Sequence, residues 1–130
     1  MDEINALNSG TIHEALGIRI SAIGADYLEG TMPVDGRTKQ PAGFLHGGAS
    51  VVLAESLGSL CSIFTLGDTS KNCFGIEVNA SHLKAIRGGT VTGRATAVQI
   101  GSRLHHWEIR LTDESGALVS ICRLMVYVRS

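Results

Sequence analysis

The chain has 130 residues, a formal net charge of -1 and a pI of about 6.5. That length predicts one domain, residues 1–130, able to bury a core without disulfides or a structural metal. The balanced charge argues against a nucleic-acid partner, which calls for a basic excess, and aromatics are scarce at 5% while glycine is frequent at 16 residues.

Asp2 to Asn8 and Thr11 to Leu16 read as short helical turns parted by Ser9-Gly10, and a strand pattern begins over Gly17 to Ile23. Tyr27 to Val34 alternates, with Leu28, Gly30, Met32 and Val34 on one face and Glu29 and Thr31 on the other. Asp35 to Ala42 is a turn-rich loop punctuated by Gly36 and Pro41. A helix is expected from Gly47 to about Phe64. Strands follow over Phe74 to Leu83, over Thr90 to Val98 after the Gly88-Gly89 turn, and over His105 to Leu111. In the last of these Trp107, Ile109 and Leu111 face in and His106, Glu108 and Arg110 face out. Asp113 to Gly116 reads as a hairpin loop, and Leu118 to Val128 as a long apolar strand at the centre of the sheet. The pattern predicts an α+β fold of five or six mostly antiparallel strands, with one helix as the only cover for the sheet. Apolar strand surface left over implies that subunits associate.

The run from Gly47 to Leu66 carries a single charge, Glu55. It is long enough for a membrane span, but the central carboxylate, the glycines and several serines make it a buried helix in a protein with no membrane partner. A carboxylate in apolar surroundings is expensive and such groups cluster at active sites; the bland alternative is a carboxylate capped by nearby serines. His46-Gly47-Gly48 opens the helix, where the first backbone N–H groups lack internal partners and carry partial positive charge. A substrate carbonyl could bind there and its oxyanion be stabilised. Glycines chosen only for tight packing would give the same letters.

Eight helical residues place Glu55 about 12 Å from Gly47 along the axis, whereas reacting atoms must meet within roughly 3–3.5 Å. If both act at one centre, they come from two chains, and two antiparallel copies of the helix across a two-fold axis make that pairing twice. Glu55 can serve as general base or nucleophile; burial raises its pKa and a partner helix start lowers it. Ser59, four residues on, shares its face and can orient the carboxylate or a water, or bond back to its own helix. Gln40 and His46 flank the loop before the helix and can position water or contact a leaving group, or simply order the loop. The histidines show no metal-ligand spacing, and G-x-S-x-G, a phosphate loop and G-x-G-x-x-G are all absent. Cys61, Cys73 and Cys122 are widely spaced with no C-x-x-C, which suggests neither a disulfide framework nor a zinc knuckle. Free thiols fit a reducing cytoplasm, and the acidic opening Met1-Asp2-Glu3-Ile4 does not read as a signal peptide.

The stretch MPVDGRTKQPAGFLHGGASVVLAESLGS, Met32 to Ser59, resembles the hotdog-fold acyl-CoA thioesterases, and the resemblance continues through GIEVNASHLKA, GSRLHHWEI and SICRLMV. It implies a hotdog fold, an antiparallel sheet wrapped around one long central helix, and hydrolysis of an acyl-CoA whose acyl group is aromatic, of hydroxynaphthoyl or benzoyl type. It implies that Glu55 is the catalytic carboxylate, that the Gly47 N–H polarises the thioester carbonyl, that Gln40 and His46 lie near the thioester and its sulfur, and that Ser59 stands beside the carboxylate. His82, Lys84, Arg87, Ser102 and Arg103 are the expected substrate and CoA contacts. The family's site lies between two subunits of a homodimer, and dimers commonly pair into a homotetramer; no cofactor or metal is required. Where relatives often carry an aromatic residue this chain has Ala42, implying a roomier or different acyl site, and Lys84 replaces an arginine, keeping the charge without the fork. Two other readings stand beside this one: a thioesterase acting on an acyl or aryl carrier protein, and a non-catalytic acyl-CoA sensor, for which Glu55 would have no use.

Overall fold

The computed structural model describes residues 1–67 and 70–129. Two short helices, α1 (Asp2–Ala6) and α2 (Ile12–Leu16), precede strands β1 (Arg19–Ile23) and β2 (Tyr27–Pro33). The long helix α3 (Gly47–Leu66) follows, then β3 (Asn72–His82), β4 (Thr90–Ile100), β5 (Leu104–Thr112) and β6 (Leu118–Arg129). All six strands form one sheet in the order β1-β2-β4-β5-β6-β3, and every pairing is antiparallel.

Local chemistry sets most element ends. Thr11 caps α2 by accepting from the His13 N–H at 3.2 Å. Gly17, expected to open β1, instead closes α2 in the left-handed region at φ 74°. Gly67 closes α3 the same way at φ 57°, so the helix runs two residues beyond Phe64. β2 alternates as its sequence predicts, with Leu28, Gly30 and Met32 buried. β6, expected at the centre, lies second from one edge, and β4 and β5 hold the middle. An apolar strand needs a neighbour on each side and a cover, and β6 has β5, β3 and α3.

The helix is long and apolar enough to cross a membrane by composition, yet its inner face packs on the sheet. Ser50, Leu53, Ala54, Leu57, Gly58, Cys61 and Ser62 are buried, at helical spacing. Gly30 and Gly93 sit opposite each other on β2 and β4. A Cβ on either would fall 2.7 Å from a Leu57 methyl, so the two glycines form a socket for Leu57. Gly58 lets the Leu124 side chain close on the helix backbone in the same way, at 2.6 Å from a would-be Cβ.

One polar cluster is sealed inside this core. Trp107 Nε1–H donates to Ser62 Oγ at 2.7 Å, and the same hydroxyl is hydrogen-bonded to His105 Nδ1 at 2.9 Å. Ser62→Ala strands both the indole N–H and the imidazole nitrogen, each at about 1–3 kcal/mol. The expected loss is about 2–6 kcal/mol, read by denaturant titration with Trp107, the single tryptophan, as fluorophore. Burial also lowers the His105 pKa. The unfolded chain therefore binds more protons below about pH 6.5, and the wild-type midpoint should fall as pH drops through that range.

Candidate active site

The loop before α3 is pinned at several points. Thr38, buried at 2% exposure, donates its hydroxyl to the Pro33 carbonyl at 2.7 Å. The His46 N–H donates to the Thr38 carbonyl and the Leu45 N–H to that of Ile86, each at 2.8 Å. Gln40 is fixed from both ends. Its backbone N–H donates to the Phe44 carbonyl at 2.8 Å, and its side-chain Oε1 accepts from the Ala42 N–H. That leaves the Gln40 amide NH2 as the group to present, and Gln40 lines a cleft of about 370 Å³ at the start of α3.

His46 caps the helix, its Nδ1 accepting from the Gly48 N–H at 2.8 Å. A backbone N–H only donates, so the neutral ring carries its hydrogen on Nε2. The cap consumes the Gly48 donor, whereas the Gly47 N–H donates to no described residue. Gly47 lines the cleft together with Gln40, Ser50, His82, Lys84 and Ser120. His82 packs on Gly47 so tightly that a Cβ there would meet its Nε2 at 2.7 Å.

Glu55 and Ser59 are half-buried and do not line this cleft. Glu55 leans toward β3, where a Cβ on Gly75 would fall 2.5 Å from its Oε2. No hydrogen bond joins Ser59 to Glu55. The chain thus divides the expected catalytic set in two, with Gln40, His46 and Gly47 at the helix start and Glu55 and Ser59 two and three turns on.

The expected CoA contacts divide as well. Lys84 is bound to Asp113 at 2.5 Å. The Lys84 ammonium, followed by the Ser115 hydroxyl, holds the Asp113 carboxyl well below the usual carboxylate range. Asp113 also accepts from the Ser115 and Ala117 N–H groups, so Lys84 braces the β5–β6 turn. The Arg87 guanidinium lies 4.1 Å over the Phe44 ring. Ser102 and Arg103 sit in the β4–β5 turn, an eleven-residue strand away from the cleft, or roughly 30 Å at 3.3 Å per residue. Among the described residues no three His, Cys, Asp or Glu side chains group as metal ligands, and the three cysteines are free.

Ser120 and Gly75 were not among the residues expected from sequence. Ser120 does carry a signal, a small hydroxyl residue set between Val119 and Ile121. Gly75 carries none, because its importance comes from the long-range packing of β3 on α3.

The model of the thioesterase superfamily matches residues 42–120, more than half of the chain. The chain belongs to the thioesterase superfamily. Its sheet wrapped around α3 is the hotdog fold the sequence pointed to, and this thioesterase is a thioester hydrolase. It is 45% identical over 124 residues to a 1,4-dihydroxy-2-naphthoyl-CoA hydrolase of Escherichia coli, covering 95% of this chain and 90% of that one. The crystal structure of a Haemophilus influenzae thioesterase superposes with a TM-score of 0.96 at 43% identity, over 99% of this chain and 90% of that one. Two structures from one Staphylococcus aureus protein, with TM-scores of 0.86 and identities of 32% and 33%, cover 92% and 91% of this thioesterase and 98% of their own chain. One carries a glutamine changed to alanine, the other a glutamate fifteen positions further on changed to alanine. Gln40 and Glu55 of this thioesterase have the same separation.

Proposed function

We propose that this thioesterase hydrolyses an aromatic acyl-CoA at a site shared by two subunits of a homodimer. The observation that carries the reading is the Gly47 N–H at the mouth of the cleft, which donates to no described residue, with Glu55 about 12 Å further along the same helix. An antiparallel partner helix places the Glu55 of one subunit against the Gly47 of the other. Both edge strands of the sheet lack a neighbour on one side, and β3 exposes Phe74 and Ile76. A second copy can pair there, next to Gly75 and the Glu55 it abuts. Two such dimers pair into a tetramer, and the free thiols suit a reducing cytoplasm.

In this arrangement the Gly47 N–H and the Gln40 amide polarise the thioester carbonyl, and the His46 Nε2–H is left to meet the sulfur. Glu55 takes a proton from water as the oxygen adds to the carbonyl carbon, or its own carboxylate adds first and the anhydride is then hydrolysed. In the first route the C–S bond breaks and the proton held by Glu55 passes to sulfur; in the second the thiolate leaves as the anhydride forms and takes its proton from the water that then hydrolyses the anhydride, so both end at the acid and CoA thiol. Ser59, on the Glu55 face, holds the attacking water. His82 and Lys84 line the cleft that the thioester and its CoA arm would enter, and Arg87 is stacked on the cleft residue Phe44, while Ser102 and Arg103 can reach the arm only from the partner's side. The name of the E. coli relative supports an aromatic acyl group.

Thiol release from a panel of aryl-CoA, alkyl-CoA and carrier-protein thioesters tests this. Faster release from the aryl-CoA members is expected. Turnover confined to carrier-protein thioesters would move the donor, and a folded dimer that binds acyl-CoA without releasing thiol would make it a sensor.

A further inference from the structure

We propose that Ser120 is a positioning residue that locks the His82 ring, so that its Nε2–H joins the Gly47 N–H in holding the thioester oxygen. This rests on the site reading above. His82 ends β3 and Ser120 stands directly opposite on β6. Ser120 is 0% exposed, and its Oγ lies 3.0 Å from His82 Nδ1.

The direction of that bond follows from donor supply. A serine hydroxyl has one hydrogen, and His82 Nδ1 is its one hydrogen-bond partner among the described residues. The hydroxyl therefore donates to Nδ1, and the neutral ring carries its own hydrogen on Nε2. The reverse arrangement would leave a buried O–H without an acceptor, at a cost of about 1–3 kcal/mol.

Geometry then aims the second nitrogen. Nε2 lies 2.7 Å from the place a Gly47 Cβ would occupy, so the ring fills the space the glycine leaves open. Gly47, His82 and Ser120 all line the same cleft. Two donors on one side of a cleft, one from the helix start and one from an imidazole, form the arrangement that stabilises an oxyanion. Gly47 then has a second role: besides baring its own N–H, it admits the ring that supplies the other donor. A purely structural reading makes the Ser120–His82 bond a clasp on the end of β3, which would affect stability but not turnover.

A kinetic double-mutant cycle separates the two. His82→Ala removes one oxyanion donor and is expected to lower kcat about 10²- to 10³-fold. Ser120→Ala should lower kcat about 10-fold with KM unchanged, as a ring freed to rotate loses alignment. In the His82→Ala background Ser120→Ala should do nothing further, and Ser120→Thr should restore most of kcat. An equal kcat loss from Ser120→Ala in both backgrounds, or a change in KM alone, overturns the proposal. Imidazole ¹⁵N shifts of the wild-type protein, with His82 assigned by its loss in His82→Gln, give a test that needs no folded serine variant. A protonated Nε2 and a bare Nδ1 are expected, and the opposite tautomer overturns the proposal. If the wild type releases no thiol from any thioester, the functional reading fails while the tautomer result still stands.

Discussion

Mixing Glu55→Gln subunits with Gly47→Val subunits, each nearly inactive alone, should restore about a quarter of wild-type thiol release. Loss of the carboxylate removes a base worth about 10²- to 10⁴-fold. The Gly47 change blocks a donor worth about 10²- to 10³-fold. Gly47 is not in the left-handed region, so valine adds no backbone strain there, and its Cβ instead strikes the His82 ring. In a mixed dimer one site combines both lesions and the other has neither, provided Glu55 and Gly47 come from different chains. Random exchange makes half the dimers mixed, which leaves a quarter of all sites intact. Native mass spectrometry reports whether mixed dimers form, and thiol release reports their turnover. Mixed dimers with no recovery would mean that the two residues do not work across the interface.

The second large effect comes from a residue with no side chain at all, Gly75. Gly75→Ala should lower kcat about 10²-fold while the melting temperature stays within a few degrees. The new Cβ falls 2.5 Å from Glu55 Oε2 and 3.4 Å from Leu124 Cδ1. The first is the far end of a flexible side chain, so the carboxylate yields rather than the strand. A misplacement of about 1 Å is enough for a loss of that size. Gly75 also stands at a bulge, where the pairing steps from Gly75 with Val126 to Glu77 with Met125. Its φ lies outside the left-handed region, so alanine fits the backbone. Unchanged kcat in this variant would show that the position of Glu55 over β3 does not govern the reaction, and a collapsed melting temperature would show that the strand itself was disturbed.

Much of this was legible in the chain because it is periodic or punctuated. The alternation of Leu28, Gly30 and Met32 appears in β2 as read, and so do the inward Trp107, Ile109 and Leu111 of β5. The helix starts at Gly47 because His46 can cap it. Strand order was not legible, since composition reports how buried a strand is and not which strands flank it, and β6 was placed too centrally. Gly17 looked like the start of a strand because a left-handed helix cap and a strand glycine have the same letter. Lys84 and Arg87 read as CoA contacts, and Asp113 and Phe44, distant in sequence, engage them. Helix spacing alone separates Gly47 from Glu55, but Ser120 and Gly75 emerged only with the register of β3 on β6.

The Leu57 socket has a consequence for how the enzyme can vary. A peg held by two glycines on adjacent strands stops the helix from sliding along the sheet, where one turn of slip would carry Glu55 about 5.4 Å. Glu55 is two residues from that peg, so its height above Gly75 is indexed to Gly30 and Gly93 rather than to anything near the substrate. Lineages could therefore change the residues around the cleft freely while Glu55 kept its station, and positions 30, 57 and 93 could change only as a set.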